Sequence, residues 1–226
     1  MTRPLAIVRP EPGWSASAAA ARSRGLAVVG HPVFVVEPVA WLPPEARHDA
    51  LLIGSAAAIR QAGPALARYA GLPVFAVGEA TAQAARDFGL TVARAGAGGL
   101  QALLDAEAAV PRRYLRLGGE ERVALTPHPG QAITECTVYR LRPLPISDDF
   151  AQVIAQDRPL IALHSAAAAR HFAAEAERCG LARGGLFLLA LGPRVAKAAG
   201  LGWAAIHLVA PPHDAALLAK AAALCE

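Results

Sequence analysis

Leu52-Ile53-Gly54-Ser55-Ala56-Ala57-Ala58-Ile59-Arg60 returns later in the chain as Ala162-Leu163-His164-Ser165-Ala166-Ala167-Ala168-Ala169-Arg170. Each copy is a short apolar run, a serine, and an alanine-rich stretch closed by arginine. A continuous apolar run of this length reads as a strand buried on both faces, and the serine stands where a helix N-cap belongs. Further out, Phe75-Ala76-Val77-Gly78 matches Leu189-Ala190-Leu191-Gly192, and Ala102-Leu103-Leu104 matches Ala216-Leu217-Leu218. A four-residue insertion around Arg183-Gly184-Gly185 accounts for the single change of offset. The same order of elements occurs twice, which implies a duplication.

Within the first copy, strands are expected at 51–53, 74–77 and 91–93. Helices are expected from Pro64 to a stop at Gly71, over 80–88 and over 100–108, with a loop at 96–99. Within the second, strands are expected at 160–163, 186–191 and 205–209. Helices run from the Ser165 cap to about 178, over 193–199, and from an Asp214 cap to about 224. Outside the repeat lie strands at 5–8, 33–36, 114–117 and 134–141 and a helix at 15–24. Strand–helix alternation with unbroken apolar strands implies doubly wound parallel α/β sheets. Two proline-containing crossings, 37–44 and 142–145, suggest that one domain is inserted into another. The division expected is 1–36 plus 147–226 for the first domain and 42–141 for the second, with 37–41 and 142–146 as connectors.

The 226 residues are 54% hydrophobic and 18% charged, a balance that excludes disorder and coiled coil. Only 5% are aromatic, too few for a surface that stacks single-stranded bases. The net charge of +4 comes from scattered arginines, with Lys197 and Lys220 the only lysines. Such a spread suits an anionic small molecule and not nucleic acid. Cys136, Cys179 and Cys225 are odd in number and widely spaced, with no C-x-x-C. They fit a reducing cytoplasm and neither a disulfide framework nor zinc. The apolar stretch before Arg9 is too short for a signal-peptide core, and Gly, Pro and Arg interrupt every run that could span a membrane.

Nucleotide chemistry is disfavoured. No G-x-G-x-x-G follows a strand, and no Walker loop, H-E-x-x-H or G-x-S-x-G is present. What remains is a set of strand-to-helix junctions at Ser55, at 78–81, at Ser165 and at Gly192. Helix N-termini offer unpaired N–H groups and partial positive charge, and open α/β sheets bind ligands outside the carboxyl ends of their strands.

Arg9-Pro10, then Val77-Gly78-Glu79-Ala80-Thr81-Ala82 with Ala84-Ala85 and Gly89, then Thr137-Val138-Tyr139-Arg140 occur in that order. His164-Ser165, Leu191-Gly192-Pro193, Asp214 and Leu217-Leu218 follow. The ordered set resembles the uroporphyrinogen-III synthase family over nearly the whole chain. The resemblance implies two flavodoxin/Rossmann-like domains joined by a two-stranded connector, with the active site in the cleft. It implies cyclisation of hydroxymethylbilane, a linear tetrapyrrole with eight carboxylates. The last pyrrole ring is inverted on closure through a proposed spiro intermediate, and water is lost. It also implies no cofactor and no metal, and the preceding enzyme of the pathway is expected to make transient contact; no apolar stretch stands out as an interface, so a cytoplasmic monomer is expected.

The substrate of that family closes without inversion when no enzyme is present, so the catalytic task is to select one folded conformation. A tyrosine, with a pKa near 10, stays protonated at neutral pH and can assist departure of the hydroxyl. Tyr139 occupies the family's tyrosine position and is the catalytic candidate. Arg9, Ser55, Gly78, Thr81, Ser165 and Gly192 are the substrate-binding candidates. Each has a plainer reading. Tyr139 could only pack at the connector, Ser55 and Ser165 could only cap helices, Thr81 could only serve its own first turn, and Arg9 could lie on the surface. His164 is expected to be a satisfied polar residue, and the cysteines inert. Three departures from the family pattern stand out: Val195 where many members have threonine, Val8 in place of a threonine, and a short 120–131 segment. They leave two other functions open. One is a non-catalytic paralogue that binds a tetrapyrrole or another polyanion; the other is a two-domain sensor for a small phosphorylated ligand.

Overall fold

The computed structural model describes residues 3–225. The chain forms two units, Met1–Val35 with Arg142–Glu226, and Val36–Leu141.

The first unit carries a five-stranded sheet of β1 (Leu5–Ile7), β2 (Val28–Val29), β9 (Leu160–Leu163), β10 (Phe187–Ala190) and β11 (Ala205–Leu208). The strand order is β11-β10-β9-β1-β2 and every pairing is parallel. Successive strand residues serve opposite faces. Ala6, Ile161, Leu163, Leu188 and Ala190 pack against α5 (Asp148–Asp157), α6 (Ala166–Arg178) and α7 (Pro193–Ala199). Leu5, Ile7, Leu160, Ala162 and Leu189 pack against α1 (Gly13–Arg22) and α8 (Asp214–Cys225). A sheet covered on both faces needs strands apolar at every position, and β1 and β9 are buried at every residue.

The second unit is built around β4 (Ala50–Ile53), β5 (Val74–Val77), β6 (Val92–Gly96), β7 (Arg112–Gly119) and β8 (Gln131–Pro143), in the order β8-β7-β4-β5-β6, all parallel. One face holds α2 (Ala56–Gln61), a 3-10 turn at Pro64–Tyr69 and α3 (Glu79–Asp87). The other holds α4 (Leu100–Asp105). Strand β3 (Phe34–Pro38) completes this sheet at its β8 edge. Leu144 N donates to Val33 O and Val39 N to Val138 O, so β3 runs antiparallel to β8 and makes the sheet mixed. Both passages of the chain between the units fall within β3 and β8.

The two sheets share one plan with different starting points. If β4-β5-β6 is aligned with β9-β10-β11, then β7 and β8 stand where β1 and β2 stand in the other unit. Several local expectations shift. The helix expected from Pro64 is a 3-10 turn, because Gly63 enters it at φ 66° and α2 has already ended at Gln61. Strand β6 begins and ends later than expected and takes in Gly96. Helix α5 and strand β2 are additions to the expected elements. Asp214 is the first residue of α8 and not its cap; the Ala216 N–H is met instead by His213 Nδ1 at 3.1 Å.

Candidate functional site

In the first unit, Arg9 follows β1, Ser17 lies in α1, His164 follows β9 and Asp214 opens α8. The chain leaves β1 for β2 on one side and reaches β9 on the other, which makes this the switch point where such sheets bind ligands. The Asp214 carboxylate joins the four. Its Oδ1 accepts from His164 Nε2 at 2.8 Å and from Arg9 Nη1 at 3.3 Å, and its Oδ2 accepts from Ser17 Oγ at 2.8 Å. Arg9 Nη1 also donates to Ser17 Oγ at 3.0 Å. Burial favours a neutral Asp214, yet the bonds from His164 and Ser17 and the Arg9 charge hold its pKa below the usual carboxylate range. The His164 side chain is 7% exposed, and burial lowers its pKa against the pull of Asp214. A neutral imidazole bound to a carboxylate through Nε2 carries its proton there. Ser17 donates to Asp214 and not to His164, so the set is not a nucleophilic triad.

The Arg9 side chain is 31% exposed, so a held guanidinium still reaches solvent. A Cβ on Gly13 would collide with Arg9 Nε and lie 2.7 Å from Cζ. Gly13 is outside the left-handed region, so glycine here clears space for the arginine. Ser165 caps α6, its Oγ accepting from Ala168 N at 3.1 Å. Gly192, at φ 99° and ψ 169°, turns the chain from β10 into α7, a conformation essentially reserved for glycine. Val195 is buried in the core of this unit.

In the second unit the same devices recur. Ser55 caps α2, its Oγ accepting from Ala57 N at 3.2 Å. Gly78, at φ 77° and ψ 155°, leads from β5 into α3. Thr81 is 4% exposed in the first turn of α3, and among the described residues no group hydrogen-bonds its hydroxyl. Tyr139 lies in β8 beside the carboxyl end of β7. Gly118 pairs with Thr137, the register shifts, and Gly119 pairs with Tyr139. This bulge leaves Val138 as the extra residue and turns Tyr139 onto the face that Val138 already occupies; both pack in one cluster. Tyr139 is half-buried, and among the described residues nothing hydrogen-bonds its hydroxyl. The carboxyl ends of β5, β4 and β7 thus present Gly78, Ser55 and Gly119 in a row, with Tyr139 of β8 beside Gly119.

Sequence reasoning passes over several neighbours of these residues. It marks Asp214 as a helix start and as part of the ordered set, but not as the shared partner of Arg9 and Ser17, which lie some two hundred residues away. On β7 and β8, Arg116 Nη1 donates to Glu135 Oε1 at 2.7 Å. Arg122 donates to Thr137 Oγ1 and approaches Glu135 Oε2 at 3.6 Å. Two guanidiniums on one carboxylate are a nonlocal fact no motif carries. Gly118-Gly119, the last two residues of β7, are the one local signal available. A pocket of about 400 Å³ lined in part by Arg47, His48, Arg68 and Tyr69 opens beside residues that precede β4 and β5, at the opposite strand ends from these groups. Among the described residues, no cluster of three or more His, Cys, Asp or Glu could hold a metal ion, and no helix is long and apolar enough to cross a membrane.

These features define a duplicated α/β protein whose strand ends carry capping serines, glycine turns, a guanidinium and a phenol in place of a nucleotide loop. The family model HEM4, uroporphyrinogen-III synthase HemD, matches residues 15–219, and the chain belongs to that family. A crystal structure of uroporphyrinogen-III synthetase from Helicobacter pylori superposes with a TM-score of 0.65 at 16% identity, covering 98% of this chain and 99% of that one. A mutant uroporphyrinogen III synthase from Thermus thermophilus superposes at 0.54 and 18% identity, covering 99% and 100%. At these identities the likeness shows the fold. No curated protein sequence matches the chain.

Proposed function

We propose that this chain closes hydroxymethylbilane to uroporphyrinogen III, inverting the last ring and releasing water. The family match over residues 15–219 carries the reading. In it, Tyr139 gives a proton to the departing hydroxyl, a role supported by a half-buried phenol with no protein partner among the described residues. Arg9 and the first turns of α3, α6 and α7 hold substrate carboxylates, with Thr81 adding a hydroxyl. Asp214 and Gly13 fix where the Arg9 guanidinium points. Ser55 and Ser165 cap their helices and through them aim the N–H groups that follow. The protein acts as a monomer on this reading, which sedimentation would check.

The test is an isomer assay. Hydroxymethylbilane is generated in situ, the protein is added, and the oxidised products are separated. Isomer III rising in proportion to protein is the expected result. Isomer I alone, from protein shown to be folded, overturns the synthase and favours a non-catalytic tetrapyrrole binder. Tyr139→Phe is expected to slow isomer III formation about 10²-fold, the low end for a lost general acid.

A further inference from the structure

Gly119 has no backbone reason to be glycine. Its φ lies outside the left-handed region that Gly78 and Gly192 require. Glycine inside a strand weakens it, and such a residue marks a close approach of something else. Here that something is the Tyr139 ring: a Cβ on Gly119 would lie 2.8 Å from Cε2 and from Cζ and 3.0 Å from the hydroxyl oxygen. Gly118, one residue earlier, has nothing within 4 Å of such a Cβ and is the natural control. The Glu120 N–H donates to the Tyr139 carbonyl at 3.0 Å, so the backbone on both sides of the bulge is fixed while the ring lies over the gap.

We propose that Gly119 is a positioning residue whose missing side chain seats the Tyr139 phenol over β7. The seat is a statement about geometry; its kinetic consequence rests on the proposed proton-donor role of Tyr139. An alanine at 119 suits the backbone but not the ring, which must then swing away and take its hydroxyl with it.

Two measurements test this. By NMR, the Gly119 Hα signals of the unaltered protein are expected to be shifted upfield by the ring, and Tyr139→Leu is expected to abolish the shift. Unshifted Hα signals overturn the seat, whatever the enzyme does. In the isomer assay, Gly119→Ala is expected to cut kcat about as much as Tyr139→Phe, roughly 10²-fold, with KM little changed. Gly118→Ala should keep the parent's rate. In a Tyr139→Leu background, adding Gly119→Ala should cost nothing more. Full kcat in Gly119→Ala while Tyr139→Phe is slow overturns the positioning role, as does an equal loss with and without Tyr139. Full kcat in Tyr139→Phe overturns the proton-donor reading and leaves the seat to the ring-shift measurement.

Discussion

Asp214 takes three hydrogen bonds on two oxygens, from a cation just after β1, an imidazole just after β9 and a hydroxyl on α1. Asp214→Ala leaves those donors facing one another, and the expected loss of stability is about 1.5–3 kcal/mol by urea denaturation, with Asp214→Asn costing less. His164 adds a pH dependence. Its folded pKa lies below the ordinary histidine value of 6.5, so the unfolded chain binds the proton more readily. Stability is therefore complete above about pH 6.5 and falls as the pH drops toward the folded pKa. Urea midpoints between pH 8 and 5 should decline for the parent and decline less steeply in His164→Gln, the remainder coming from His48, whose pKa burial also lowers; equal slopes would refute the assignment. At the same scale, Gly13→Ala pushes against Arg9 and, if Arg9 holds substrate as proposed, is expected to raise KM more than it lowers kcat.

Helix starts carry the expectations at the next scale. Ser55→Ala and Ser165→Ala each remove a bonded cap and should cost about 1 kcal/mol in denaturant titrations. Gly192→Ala forces a side chain into φ 99° and should cost of order 1–3 kcal/mol, without a matching loss if the next residue outward is changed. These elements are legible because their signals are local: four apolar residues and, one residue on, a serine, or a strand, then glycine. Helix α5 is hidden although Ser147 caps it and Asp148 and Asp149 fill its first turn; the prolines at 143 and 145 make that stretch read as a connector. Strand β2 has two residues and no period to read. The segment at Pro64 shows the reverse, a good helix start followed by six residues that wind as a 3-10 helix. The candidate residues Arg9, Tyr139 and those of the junctions can be named from sequence, because each stands beside a local strand or helix signal. The Asp214 hub and the bulge at Val138 cannot, because both depend on distant partners.

Each unit has its own two-faced core, so damage should stay within the unit that suffers it. Phe172 is fully buried in the first unit and Leu115 in the second. Phe172→Ala should cost about 3–5 kcal/mol and Leu115→Ala about 2–5 kcal/mol. Hydrogen exchange should show protection lost mainly across 3–35 and 142–225 in the first case, and across 36–141 in the second. Spread of either effect over both sets would mean that the units do not open separately. The duplication is legible because both copies preserve the order strand, serine, helix. The different starting point of each sheet is not, because strand neighbours are set by long-range pairing that no stretch of sequence spells out.

That difference has a consequence during synthesis. Residues 36–141 form a contiguous stretch and can complete their sheet as they leave the ribosome. Strand β1, by contrast, is an interior strand, and its neighbour β9 is made about 150 residues later. Until then the nascent chain holds a two-strand fragment with apolar side chains and one edge of unpaired backbone groups, which is the segment a ribosome-bound chaperone would be expected to shield.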